Sequence, residues 1–137
     1  MTYQQELELI RKQHRGVLKP TDVVNYAKNA KTALHKKFIW DNTEAAKRYR
    51  LWQARQLIAF TITVETPDVP EHHTYVSMRQ DRSKPGGGYR ATIEVMSEEK
   101  TRAQLLKDAL AEFQDMKRRY GHLKELAIVF EAIDKIK

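Results

Sequence analysis

Cysteine is missing from all 137 residues, which excludes disulfide bonds, thiol catalysis and the usual zinc-finger ligand sets, and is compatible with a reducing cytoplasm. Long apolar runs are missing too. No stretch approaches the roughly 18 residues of a membrane span, and the polar start MTYQQELELIRKQ carries no signal-peptide pattern. The expectation is a soluble, intracellular protein with no membrane partner. Catalytic signatures are equally scarce. Of His14, His35, His72, His73 and His122, only His72 and His73 gather beside another metal-ligand type, Glu71. Adjacent residues diverge on a strand, and no HExxH spacing occurs. Ser77 and Ser83 lack a nucleophile elbow, and nothing marks Asp81 and Glu94 as a converging acid–base pair. The reading is a non-enzyme, without cofactor or metal.

What the chain has is positive charge, and the charge is local. Residues 11–58 hold twelve Lys or Arg against Asp22, Asp41 and Glu44, an excess of +9 in a chain whose net charge is +7. Such a block attracts polyanions through affinity and on-rate, with little sequence information. The alternative is a solubilising, solvated face.

The length fits one domain, 1–137, that buries roughly two-thirds of its unfolded surface. Residues 1–58 read as helical. Leu7 and Ile10 repeat at helical spacing over 3–15, with acids early and bases late, and Gly16 ends the run. Pro20 and Thr21 open a second helix to about residue 29. Residues 30–40 connect, with Leu34, Phe38 and Trp40 directed at the core. Asp41, Asn42 or Thr43 then caps a helix beginning near 42 or 43. On that helix Ala45, Tyr49, Trp52 and Phe60 form one strip and Leu51, Ala54 and Ile58 another, which predicts a helix sandwiched between two packed layers. Between the strips lie Glu44, Arg48 and Arg55, with Trp52 at their edge. Either Arg48 pairs with Glu44 and Trp52 is core, or Lys47, Arg48, Arg50 and Arg55 present a cationic, aromatic-interleaved helix to phosphate. A helix-turn-helix comparison is weakened by a connection far longer than the usual turn.

Residues 60–96 switch to alternating patterns. FTITVE (60–65), HTYVSMR (73–79) and YRATIEVM (89–96) read as three strands of an antiparallel meander. TPDVPEHH (66–73) is a loop, and QDRSKPGGG (80–88) a second one. The glycine run Gly86, Gly87, Gly88 can adopt positive φ, and Arg79, Arg82, Lys84 and Arg90 stand beside it. The loop reads either as a basic β-arm for a DNA minor groove or as a mobile hairpin. It is not a P-loop, since GGGYR lacks the GxxxxGK[ST] spacing. Residues 97–137 read as two C-terminal helices broken at Gly121, or one kinked helix, with Leu126, Val129, Phe130 and Ile133 inward in the second. The fold class is therefore α+β: N-terminal helices, a three-stranded antiparallel sheet and the C-terminal helices.

LHKKFIWDNTEAAKRYRLWQARQLI (34–58) resembles small proteins of tailed bacteriophages and prophages that share a pattern like LHxxFxWDxxxAAxxYRxxxARxLI, with a later DRxxxGGGYR. The matching positions are Leu34, His35, Phe38, Trp40, Asp41, Ala45, Ala46, Tyr49, Arg50, Ala54, Arg55, Leu57 and Ile58, then Asp81, Arg82, Gly86, Gly87, Gly88, Tyr89 and Arg90. The resemblance implies a phage origin and the cytoplasm of a bacterial host, and carries over no catalytic residue. The candidate nucleic-acid-binding set is Lys36, Lys37, Lys47, Arg48, Arg50, Arg55, Arg79, Arg82, Lys84 and Arg90, with DNA favoured over RNA. The competing expectation is an interaction module or inhibitor docking on a host or phage protein, or a homodimer joined through the apolar helix pair from Leu105 to Ile136.

Overall fold

The structure, a computed structural model, describes residues 1–64 and 67–136. Glu65 and Thr66, the end of the first expected strand and the start of the following loop, lie outside the described residues, as does Lys137. The chain forms two compact units, Met1–Val95 and Met96–Lys137, and its fold is α+β.

In the first unit, α1 (Tyr3–Gln13) opens with a reciprocal cap: the Gln5 N–H donates to the Thr2 hydroxyl at 3.2 Å while the Thr2 N–H donates to the Gln5 side chain at 3.0 Å. Gly16 follows at φ +82°, where a side chain would be strained. α2 (Pro20–Ala27) begins on proline, whose missing N–H costs nothing in a first turn. A single 3-10 turn, Leu34–Lys37, precedes α3 (Glu44–Phe60), and Thr43 caps α3 by accepting the Ala46 N–H at 3.1 Å. The buried carboxylate of Glu6 accepts the N–H groups of Ala33 and Leu34 at 2.9 and 2.8 Å. α1 thereby satisfies donors at the start of the 3-10 turn that would otherwise be buried without acceptors.

Leu7, Ile10, Leu18, Val23, Ala27, Leu34, Phe38, Ala54, Ile58 and Tyr75 make one core. Full burial of each large aliphatic side chain is worth about 1.5–3 kcal/mol. Arg11 lies under this layer, its guanidinium shared between Glu8 and Glu94, the latter at 2.9 Å. Its hydrogen bond holds the Glu8 carboxyl below the usual glutamate range against an opposing effect of burial, and Arg11 itself is raised. Tyr75 donates its hydroxyl to Glu8 at 3.1 Å, and burial followed by the Glu8 charge pushes its pKa upward.

Three extended segments pair antiparallel, but more briefly than their alternation predicts. β1 (Ile62–Thr63) pairs with β2 (His72–His73), and β3 (Tyr75–Val76) pairs with β4 (Arg90–Ala91). β2 and β3 are halves of one segment bent at Thr74, whose N–H donates to Thr61 and whose carbonyl accepts from Thr92. Two corrections apply. α3 runs through Phe60, so the first strand starts later than expected. The third leaves the sheet after Ala91 and coils into α5 (Thr92–Ser97). A short helix, α4 (Arg79–Arg82), lies between β3 and the glycine loop.

The expectation of a sandwiched α3 is also overturned. Ala54 and Ile58 are fully buried, yet Tyr49, Trp52 and Phe60 are 43, 50 and 71% exposed. Only the strip of Leu51, Ala54 and Ile58 is covered, Leu51 being half-buried, and the half-buried Leu57 and the buried Arg50 lie beside it.

The second unit contains α6 (Glu99–Tyr120), a 3-10 turn at Lys124–Leu126 and α7 (Ala127–Asp134). Gly121 separates them. Its φ is −62°, an ordinary helical value, so handedness does not select glycine there; a Cβ would stand 2.5 Å from the Lys117 carbonyl oxygen. Lys117 donates to Asp134 at 2.8 Å, tying α6 to α7 and, with Gln114, holding the Asp134 carboxyl below its usual range. Of the residues expected inward in α7, Phe130 is buried, Leu126 and Ile133 are half-buried, and Val129 is 44% exposed. No helix among the described residues is long and apolar enough to cross a membrane.

Candidate nucleic-acid interface

The ten sequence-predicted cations divide into those the fold consumes and those it leaves facing water. Arg50 is consumed. It is 7% exposed, donates from Nη1 to the carbonyls of Ile39 and Asp41 at 2.8 and 2.7 Å, and lies 5.1 Å from the centre of the Trp40 ring. Trp40 in turn stacks on His35, centroids 4.8 Å apart and planes within 7°, and its indole N–H donates to the His35 carbonyl. The stack of His35, Trp40 and Arg50 fastens the connection 34–42 onto α3, and Arg50 is removed from the candidate set. Arg90 is also committed: it forks onto both oxygens of the buried Asp81 at 2.8 and 2.9 Å, the bidentate geometry for which arginine is suited. Lys47 pairs with Glu44 at 3.2 Å, and Lys37 lies 5.0 Å from the Tyr3 ring centre, with Lys36 exposed beside it. Arg79 is exposed at the start of α4.

Three of the remaining cations converge. Arg55 from α3 meets Arg82, the last residue of α4, and Lys84 from the glycine loop around a cleft of about 550 Å³, whose walls also include Pro20, Ser77, Gly86, Gly87, Gly88 and Tyr89. Among the described residues no carboxylate lines it and none of the three forms an ion pair. Arg82 is steadied by donating to the Ser77 carbonyl at 2.8 Å. The fourth cation, Arg48, shares the exposed face of α3 with Arg55; seven residues separate them, about 10 Å along the axis.

The segment that supplies two of these cations is braced. The Asp81–Arg90 fork closes its base, and Leu18 and Tyr89 exchange two backbone hydrogen bonds of 2.8 Å. Gly88 sits at φ +148°, where a Cβ would come 2.6 Å from Val17, so the close approach of the loop to residues 17–19 requires glycine. The loop is bound at its base and forms one wall of the cleft.

A second concavity, about 490 Å³, lies on the opposite flank of α3 between Val24, Lys28, Trp40, Lys47 and Arg50. Its cations are the ones already engaged by Glu44 and by backbone carbonyls, except Lys28. Sequence reasoning missed how far Trp52 and Tyr49 stand out in solvent. Their rings stack on each other at 5.5 Å, with planes within 15°. Comparison with family models, with curated proteins and with solved structures gives no match.

Proposed function

We propose that this is a non-enzymatic, phage-encoded DNA-binding protein that holds backbone phosphates in the cleft formed by Arg55, Arg82 and Lys84, with Arg48 extending the track along α3. The observation that carries the reading is the convergence of three cations from two distant parts of the chain on a cleft lined, among the described residues, by no carboxylate. Like charges brought together without internal partners repel one another, and an arriving polyanion relieves that repulsion. The bacterial cytoplasm as its location follows from the phage resemblance.

The test is binding of duplex and single-stranded DNA across a salt series. Log affinity falls linearly with log salt, and replacing Arg55, Arg82 and Lys84 together by alanine flattens that slope by about 2, at roughly 0.7–0.9 per lost phosphate contact. The thermal midpoint of the variant stays near that of the parent. Absence of detectable binding at about 50 mM salt, where phosphate contacts are strong, sinks the reading.

A second reading rests on a separate observation. In the second unit Leu106, Tyr120, Leu123, Ile128 and Val129 are between 40 and 75% exposed. That apolar surface suits a protein–protein module, dimeric or docking on a host or phage protein. Light scattering decides the dimeric form: a monomer at working concentration removes it.

A further inference from the structure

The exposed face of α3 holds more than charge. Tyr49 and Trp52 stand parallel, 43 and 50% exposed, on a face that the unit's own core leaves uncovered. Arg48 precedes Trp52 by one helical turn and Arg55 follows it by another, so the indole lies between two guanidinium groups on one side of the helix. At Arg55 this strip runs into the cleft walled by Arg82, Lys84 and the glycine run.

We infer that the interface takes a single strand: unpaired bases stack on Trp52 and Tyr49, and the backbone runs from Arg48 past Arg55 into the cleft. The inference rests on the nucleic-acid reading above and adds the form of the ligand. A flat ring can cover a base only when that base has left its neighbour in the stack, so a half-exposed pair of parallel, stacked aromatics beside cations offers a base its outer ring face and suits single strands. Duplex recognition needs an element that enters a groove or follows its rim. The loop best placed to do so is tied down by the Leu18–Tyr89 hydrogen bonds and the Asp81–Arg90 fork. The cleft is of the size that encloses a small molecule, which suits the sugar and phosphate of an extended strand and not the flank of a double helix.

The experiment uses the full chain, an oligothymidylate of about 20 nucleotides and a duplex of equal length at matched salt, a length that exceeds the typical site of a single-strand binder. Affinity is read by anisotropy, and base stacking by tryptophan emission. The expected result is binding of the single strand at least about tenfold tighter than the duplex, with quenched emission. Trp52→Ala weakens the single strand by about tenfold or more, the loss expected of one stacked base. Trp52→Phe recovers most of the affinity but not the quenching, and both variants keep the parent circular dichroism. Equal or tighter duplex binding, or indifference of the single strand to Trp52→Ala, overturns the inference while leaving the phosphate cleft standing. Binding to neither ligand overturns both.

Discussion

On one side of α3, Arg50 donates hydrogen bonds to the carbonyls of Ile39 and Asp41 and lies against Trp40. On the other, Arg48 and Arg55 flank a tryptophan that faces water. Arginines within two turns of one helix, each beside a tryptophan, serve packing in the first case and face water in the second. Partners, not composition, separate them. A buried guanidinium with carbonyl acceptors and an aromatic floor belongs to the fold; an exposed one without an ion pair among the described residues is available to a ligand. Arg11, held by the half-buried Glu8 and the exposed Glu94, and Arg90, held by the buried Asp81, belong with Arg50.

The largest effect that tests this contrast is loss of stability on the committed side. Arg50→Ala leaves the carbonyls of Ile39 and Asp41 without their charged donor and empties space beside Trp40, and is expected to cost about 2–4 kcal/mol. Asp81→Ala removes the acceptor of the Arg90 fork and is expected to cost about 2–3 kcal/mol, below the range for fully buried pairs because water reaches part of Arg90. Urea denaturation measures both. If Arg50→Ala unfolds at the parent midpoint, the division between the two sides of α3 is wrong.

On the open side the same measurement returns little. Trp52→Ala and Arg55→Ala are each expected to move stability by under about 1 kcal/mol, as exposed substitutions do, against about 3–5 kcal/mol for truncating a buried tryptophan. A large loss in Trp52→Ala places that indole in the core instead.

The smallest effect is on the pH dependence. Glu8 has its carboxyl lowered by Arg11, so its contribution is full above the ordinary glutamate range and disappears as pH falls through the lowered value. Glu8→Gln removes that part of the acid sensitivity. Because the Glu8 side chain is 36% exposed, solvent screening keeps the change modest. Comparing denaturation midpoints of parent and variant from about pH 3 to 7, a window that spans carboxylate titration, checks it: identical acid limbs would show that Arg11 is held by Glu94 instead.

Much of the first unit was legible in its residues because the signals are local. Thr43 as a cap, Pro20 at a helix start, Gly16 at a helix end, and Leu34 and Phe38 in the core all follow from spacing and side-chain chemistry within a few positions. The misread strip of α3 has a physical cause. Helical periodicity identifies which residues share a face, but it does not say which of two apolar faces meets a partner when small residues such as Ala54 and a buried Arg50 occupy one of them. YRATIEVM was ambiguous for a related reason: short apolar runs satisfy both periods, and the chain used the extended one for Arg90–Ala91 and the helical one from Thr92. The cleft was legible only as a set of names. Arg55, Arg82 and Lys84 were each singled out, but their meeting depends on Leu18 pairing with Tyr89, across a sequence distance that no local pattern spans. The two motifs at 34–58 and 81–90 acquire a physical sense too: Leu34, Phe38, Ala54 and Ile58 fill the core, His35, Trp40 and Arg50 form the stack, and Asp81, Gly88 and Arg90 set the loop.

That braced loop has a kinetic corollary. Since its shape is fixed by internal bonds before any partner arrives, capture involves no folding step, and little ordering entropy is lost when the complex forms. Encounter should therefore be governed by diffusion and ionic atmosphere, with differences among ligands expressed mainly in how long each one stays.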